Sequence, residues 1–179
     1  MSQLSATASE IESIIRTIPD FPKPGIQFKD ITPLLADARL FSGSIDLLTQ
    51  PFKPGDIDAV VGIDARGFIF AGAAALKWGA GFVPIRKKGK LPFSTHEESY
   101  ELEYGANVLA IHVDAIKPGS RVVLVDDLLA TGGTAGAAAS LIQKIGGKLL
   151  EVTFLIELTF LNGRDKFAKN VELFSLISY

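Results

Sequence analysis

The chain has 179 residues, a formal net charge of −2 and no cysteine. That length suits one domain, able to bury roughly 70% of the surface its unfolded form exposes. The missing thiols exclude disulfides, thiolate zinc sites and cysteine nucleophiles, and fit a reducing, cytoplasmic setting. The near-neutral charge argues against a nucleic-acid partner, which needs a basic face, but leaves room for a local site that takes a small polyanion.

Met1–Glu10 carries no basic region followed by an apolar run, so no export signal is expected. Ser9 and Glu12 have the spacing of a capping box, and Ile11, Ile14, Ile15 and Ile18 follow at helical intervals, which predicts a helix at about Glu10–Thr17. Pro19, Pro22, Pro24 and Gly25 break it and lead into a short extended segment, Ile26–Ile31. A second helix is expected from Asp37 to about Leu48, closed by the break at Pro51–Gly55.

From Asp58 short apolar runs alternate with helical stretches. Strands are expected at Ala59–Ile63, Gly81–Ile85, Arg121–Val125 and Leu149–Ile156, with helices at Phe68–Lys77 and Gly133–Ile145. This alternation implies an α/β fold: a parallel sheet with helices on both faces and ligands at the carboxyl ends of its strands. The longest apolar stretch, Gly67–Leu76, is too short to cross a bilayer, so no membrane partner is expected. Lys87–Gly105 is polar and aperiodic, and reads as either a functional loop or a protruding ribbon.

The most informative run is Val122–Thr134. It begins as a buried strand, places Asp126 and Asp127 at the strand's carboxyl end, and continues through Leu128, Leu129, Ala130, Thr131 and Gly132 to a helix opening near Gly133. Unpartnered N–H groups at a helix start attract an anion, the glycines let it approach, and the hydroxyls of Thr131 and Thr134 add donors. Carboxylates would repel a phosphate, but they accept hydrogen bonds from hydroxyls or hold a hard cation such as Mg²⁺. A phosphorylated sugar satisfies both halves. The plainer alternative makes Thr131 or Thr134 an N-cap and the aspartates solvated loop residues, which leaves the paired acids unexplained. A nucleotide-hydrolase reading would need a G-x-x-x-x-G-K-[ST] loop; there is none, and no G-x-G-x-x-G fingerprint follows a strand.

Arg66, in Asp64-Ala65-Arg66-Gly67 just after the strand Ala59–Ile63, offers a planar donor fork suited to a diphosphate, or is a surface arginine. Arg86, Lys87, Lys88 and Lys90 are either a solvated basic run or further polyanion contacts on the same rim. Phe28 either stacks on a flat base or packs in the core. His96 and His112 are isolated and lack metal-ligand spacing.

The run Val122–Thr134 resembles the phosphoribosyl-pyrophosphate signature of type I phosphoribosyltransferases. Four further segments resemble the adenine-specific branch, in its order and over nearly the whole chain: Phe21–Ile31, Gly62–Phe68, Arg86–Pro92 and Tyr100–Gly105. The resemblance implies a single domain over residues 1–179, with a small hood at about 1–35 and a catalytic loop at about 87–105. It implies transfer of phosphoribose from its pyrophosphate to adenine, giving AMP and diphosphate, by a Mg²⁺-dependent homodimer.

In that reading Asp64, Ala65 and Arg66 form the pyrophosphate loop, Arg86 and Lys87 contact the diphosphate across a dimer interface, and Lys90 begins the mobile loop. Glu103 exchanges a proton with the purine, beside Tyr104, once loop closure excludes water. Ile26, Gln27, Phe28 and Lys29 form the hood segment: Phe28 stacks on the base, the adjacent backbone reads its edge, and Leu128 packs on the opposite face. Ala130–Thr134 anchors the 5′-phosphate. Gln27 and Lys29 stand where the family commonly has an apolar residue and an arginine, so a 6-oxopurine base stays open beside adenine. A non-catalytic sensor of the sugar donor is a third option, although the chain has no spare length for the DNA-binding module such a regulator usually carries.

Overall fold

The computed structural model describes residues 6–102 and 105–179. The chain divides into two compact units, Met1–Leu47 and Leu48–Tyr179.

In the first unit, helix α1 spans Ala8–Ile14 and is capped by Thr7, not Ser9. Thr7 Oγ1 accepts from Glu10 N at 3.2 Å, and Glu10 Oε2 accepts from Thr7 N at 2.8 Å. Both Thr7 and Ser9 precede a glutamate by three residues, so spacing alone does not choose between them. Glu10 is also gripped by Arg39 at 2.9 Å, and this second partner favours the earlier box. The backbone hydrogen bond from Thr7, helped by Arg39, lowers the Glu10 carboxyl to about 2.

The helix stops short of the expected Thr17 because Arg16–Pro19 is strand β1, paired antiparallel with β2, Gln27–Asp30. Arg16 and Asp30 pair at 2.7 Å across the ribbon, and Lys29 Nζ donates to Thr17 Oγ1 at 3.0 Å. Two helices follow, α2 (Thr32–Ala36) and α3 (Ala38–Leu48). Ile11, Ile31, Leu34 and Leu40 are buried.

The second unit is built on seven strands: β3 (Ala59–Ile63), β4 (Gly81–Lys87), β5 (Thr95–Leu102), β6 (Gly105–His112), β7 (Arg121–Leu129), β8 (Lys148–Glu157) and β9 (Glu172–Ser178). Their order is β5-β6-β4-β3-β7-β8-β9. The five from β4 to β9 run parallel, while β6 and β5 add an antiparallel hairpin at one edge. Part of Lys87–Gly105 is therefore a ribbon, since β5 occupies Thr95–Leu102.

Helix α4 (Gly67–Trp78) links β3 to β4, and α5 (Gly133–Lys144) links β7 to β8. The two crossovers leave the sheet centre in opposite directions, so right-handed connections put the two helices on opposite faces. That is why β3 is buried along its whole length and reads as a continuous apolar run. Val61, Ile63, Val122, Leu124 and Phe154 belong to a core that also holds Ala135, Ala138, Leu141 and Ile142 of α5. Among the described residues no helix is long and apolar enough to cross a membrane.

Candidate active site

The two crossovers diverge between β3 and β7, which makes that gap the topological switch point where ligands of such sheets bind. The register shows how it opens. β3 pairs with β7 only as far as Gly62↔Val125, whereas β7 stays paired with β8 through Leu129↔Glu157. Strand β7 is thus longer than the expected Arg121–Val125, and Asp126 and Asp127 lie within it, because β8 keeps accepting its backbone after β3 has turned away. A crevice of about 380 Å³ results, lined by Asp64, Ala65, Arg66, Asp126, Asp127, Leu128, Ala130 and Thr134.

Asp126 and Asp127 are both buried. Asp126 Oδ1 accepts the Asp127 N–H at 3.0 Å, and a Cβ on Gly67 would overlap that same oxygen. Arg66 begins α4 and sends Nη2 to 2.8 Å from Asp127 Oδ2. The approach is a charge contact without hydrogen-bond alignment, so Oδ2 keeps accepting capacity in a buried place. Burial, then the neighbouring Asp127 charge, pushes the Asp126 carboxyl well up. Burial also raises Asp127, against the opposing pull of Arg66. Ionising this pair is costly unless positive charge or donors come close.

The loop after β7 forms a second, smaller hollow of about 70 Å³, lined by residues from Leu128 to Ala135 with Asp126. Gly132 caps α5 with φ 80°, and no side chain caps the helix, so its first N–H groups face this hollow with Thr131 and Thr134 beside it. Leu129, expected to bind substrate, has its side chain in the core, so it offers the site only backbone.

Asp64 and Ala65, joined by a cis peptide, follow β3, and Asp64 N donates to Ile85 O at 3.0 Å. Arg86, at the end of β4, donates through Nε to Asp64 Oδ2 at 2.8 Å and through Nη1 to Lys90 O at 3.0 Å. Lys87 and Lys90 are exposed near the same strand end. The β3, β4 and β7 ends thereby bring together the acids, the small-residue loop and two arginines. Glu103 and Tyr104 lie outside the described residues. Ile26, Gln27, Phe28 and Lys29 belong to the first unit, where Gln27 and Ile26 are exposed and Phe28 meets the Phe21 ring edge-on at 5.1 Å. The close approach of Gly67 to Asp126 has no sequence signal, because a glycine opening a helix beside a buried acid leaves no spacing pattern.

The donor set also fits a hydrated Mg²⁺. Oxygen is the ligand a hard cation prefers, and Asp126 and Asp127 supply it from a buried site. Among the described residues no cluster of three or more acidic, histidine or cysteine side chains could hold a metal alone. A diphosphate would therefore have to complete the coordination.

Paired buried acids beside a small-residue loop at an uncapped helix start, at the switch point of a mostly parallel sheet, are the arrangement of the phosphoribosyltransferase class. The family model for the phosphoribosyl transferase domain matches residues 27–170. An adenine phosphoribosyltransferase of Chloroflexus aurantiacus is 54% identical, covering 97% of this chain and 99% of its own. One from Parvibaculum lavamentivorans is 53% identical over 95% and 98%. Among solved structures, the adenine phosphoribosyltransferase of Rhodothermus marinus superposes with a TM-score of 0.92 at 49% identity, covering 96% of this chain and 98% of that one. The Saccharomyces cerevisiae enzyme, complexed with an imino-altritol bisphosphate and adenine, gives 0.89 at 42% identity over 94% and 97%. The chain belongs to the adenine phosphoribosyltransferase family, with its type I phosphoribosyltransferase fold.

Proposed function

We propose that this chain transfers the 5-phosphoribosyl group from its 1-diphosphate to adenine, giving AMP and diphosphate. The observation that carries this reading is the buried pair Asp126–Asp127 beside the uncapped start of α5. The N–H groups of Ala130–Thr134 and the hydroxyls of Thr131 and Thr134 bind the 5′-phosphate. Asp126 and Asp127 accept the ribose hydroxyls. Arg66 exchanges its contact with Asp127 for the diphosphate, and Arg86, now on Asp64, supports it with Lys87 and Lys90.

Bond cleavage at the anomeric carbon leaves positive charge on the ring, and two carboxylates in a low-dielectric crevice stabilise it. Adenine N9 attacks the opposite face and inverts the centre. Mg²⁺ would be carried mainly by the diphosphate, with Asp126 and Asp127 reaching it through water, and the bound ion would supply charge neutralisation of the leaving group. Glu103 exchanges a proton with the purine, beside Tyr104. Leu128, in the lining of the crevice, packs on one face of the base. The working form is a cytoplasmic homodimer, a reading supported by the family likeness and the absence of cysteine; a light-scattering mass tests the dimer.

The deciding experiment mixes the protein with phosphoribosyl pyrophosphate, Mg²⁺ and each purine base in turn and follows nucleotide formation by absorbance. AMP from adenine alone is the expected result. IMP, GMP or XMP would overturn the base assignment. Donor binding without product from any base would overturn the catalytic reading.

A further inference from the structure

Behind the small-residue loop lies a segment with no place in the mechanism above. Strands β7 and β8 end side by side, with Leu158 N donating to Leu129 O at 2.9 Å. The chain then makes a short 3₁₀ turn at Thr159–Leu161, passes through Asn162 at φ 51°, and makes a second turn at Gly163–Lys166. Gly163 sits so close to the loop that neither side tolerates a side chain. A Cβ on Gly163 would overlap Ala130 O, and a Cβ on Gly132 would overlap Gly163 O. One turn into α5, a Cβ on Gly136 would come within 3.3 Å of Lys166 O. The backbone of 163–166 therefore runs along both the loop and the first turn of the helix.

Arg164 fixes this segment. Its Nε and Nη2 donate to the two oxygens of Glu157, each at 2.7 Å, and Nη1 donates to Leu173 O at 3.2 Å. Glu157 is buried at the end of β8, and the hydrogen bonds from Arg164 hold its carboxyl below the usual range. A planar fork on a carboxylate sets orientation as well as distance. It ties the residue that follows Gly163 to the strand that flanks the loop.

We infer that Gly163 and the Glu157–Arg164 pair form a backstop that sets the shape of the Ala130–Thr134 loop, with Arg164 acting through Gly163 as a positioning residue for the 5′-phosphate. The inference rests on the reading of that loop as the 5′-phosphate site.

The test measures binding of AMP and of adenosine, which lacks only the phosphate, to the full chain and to Arg164→Gln and Glu157→Gln, alongside steady-state kinetics. The unaltered protein is expected to bind AMP far more tightly than adenosine; equal binding would defeat the loop reading itself. With that preference in hand, Arg164→Gln should weaken AMP binding roughly tenfold to a hundredfold, the scale of a small misplacement of binding groups. Adenosine binding and the KM for adenine should stay unchanged, while the KM for the sugar donor rises. Glu157→Gln keeps the shape of the side chain and should show the same selective loss at smaller size; it decides the matter if Arg164→Gln does not fold. A lowered melting temperature with an unchanged ratio of AMP to adenosine affinity in the folded variants would overturn the inference.

Discussion

Arg66 Nη2 stands 2.8 Å from Asp127 Oδ2, and this contact joins the start of α4 to the end of β7 across the switch point of the sheet. In the proposed mechanism it couples the diphosphate contact of Arg66 to the hydroxyl contact of Asp127. Replacing Arg66 by Lys keeps the charge but loses the fork. We expect the KM for the sugar donor to rise roughly tenfold, which corresponds to about 1.4 kcal/mol, the size of one charged hydrogen bond. Calorimetric titration with diphosphate should show a parallel loss. Unchanged affinity would mean that Arg66 serves only Asp127.

Asp127→Asn tests the other partner. The amide preserves volume but removes the charge proposed to face the developing cation. Turnover should fall about a hundredfold to a thousandfold, the range for deleting one preorganised electrostatic group. Circular dichroism should show the fold intact. Steady-state kinetics equal to those of the unaltered chain would remove Asp127 from the mechanism.

Asp126 gives a prediction in pH. Burial, then the Asp127 charge, raises its folded-state value above the ordinary aspartate value of 3.8. Between those two values the folded chain binds more protons than the unfolded chain, so stability is lost as pH rises through the window. Asp126→Asn cannot ionise, yet its side-chain oxygen can still accept the Asp127 N–H. The variant should therefore melt at a higher temperature than the unaltered chain at pH 7, and the gap should close as pH approaches 4. Asp58, which its hydrogen bonds with Arg121 lower to about 2, works in the opposite sense: its contribution is present above 3.8 and lost as pH falls towards 2. For that reason the measured quantity is the difference between the two proteins at each pH. A gap that is absent, or that widens in acid, would contradict the burial cost assigned to Asp126.

The centre of this molecule was legible because burial writes itself into composition. β3 is apolar along its length since both faces are covered, and Ala59–Ile63 was read with its observed ends. The acids and the small-residue loop were legible because few other sites need that chemistry together. What pairing decides was not. Nothing in Arg121–Leu129 says that β8 will hold β7 for four residues after β3 has left, and that difference is what opens the crevice. Arg16 and Thr17 fall within the expected helix because Ile15 and Ile18 keep its period; they belong instead to β1, whose partner strand lies across a proline-rich turn. The Glu157–Arg164 fork, with partners seven residues apart, carries no local signature at all.

The helix start is a further case. Thr7 and Ser9 have the same spacing to a glutamate, but only Thr7 caps α1. Thr7→Ala should cost about 1 kcal/mol, the usual value of an N-cap. Ser9→Ala, inside the first turn, should stay within roughly 0.5 kcal/mol of the unaltered chain. Urea denaturation of the two variants separates the alternatives. A larger loss from Ser9→Ala would return the cap to the position that the sequence first suggested.

Gly67 packs on the carboxylate proposed for the ribose hydroxyls and Gly132 lies in the loop proposed for the 5′-phosphate, so their alanine variants should fail differently. A Cβ on Gly67 would overlap Asp126 Oδ1, so Gly67→Ala must displace the carboxylate assigned to the ribose hydroxyls. Gly132 adopts φ 80°, where a side chain costs about 1–2 kcal/mol, and its Cβ would also overlap Gly163 O. Gly132→Ala must therefore deform the phosphate loop. Gly67→Ala should act mainly on kcat, because it disturbs a group whose worth appears as charge develops on the ring. Gly132→Ala should act mainly on the KM for the sugar donor, because the 5′-phosphate is held alike before and during the reaction. Full kinetics for both variants, with the donor varied at saturating adenine, make the comparison. If the two show the same division between kcat and KM, the hydroxyl and phosphate halves of the crevice are not separable, and the roles assigned to Asp126 and to Ala130–Thr134 must be redrawn.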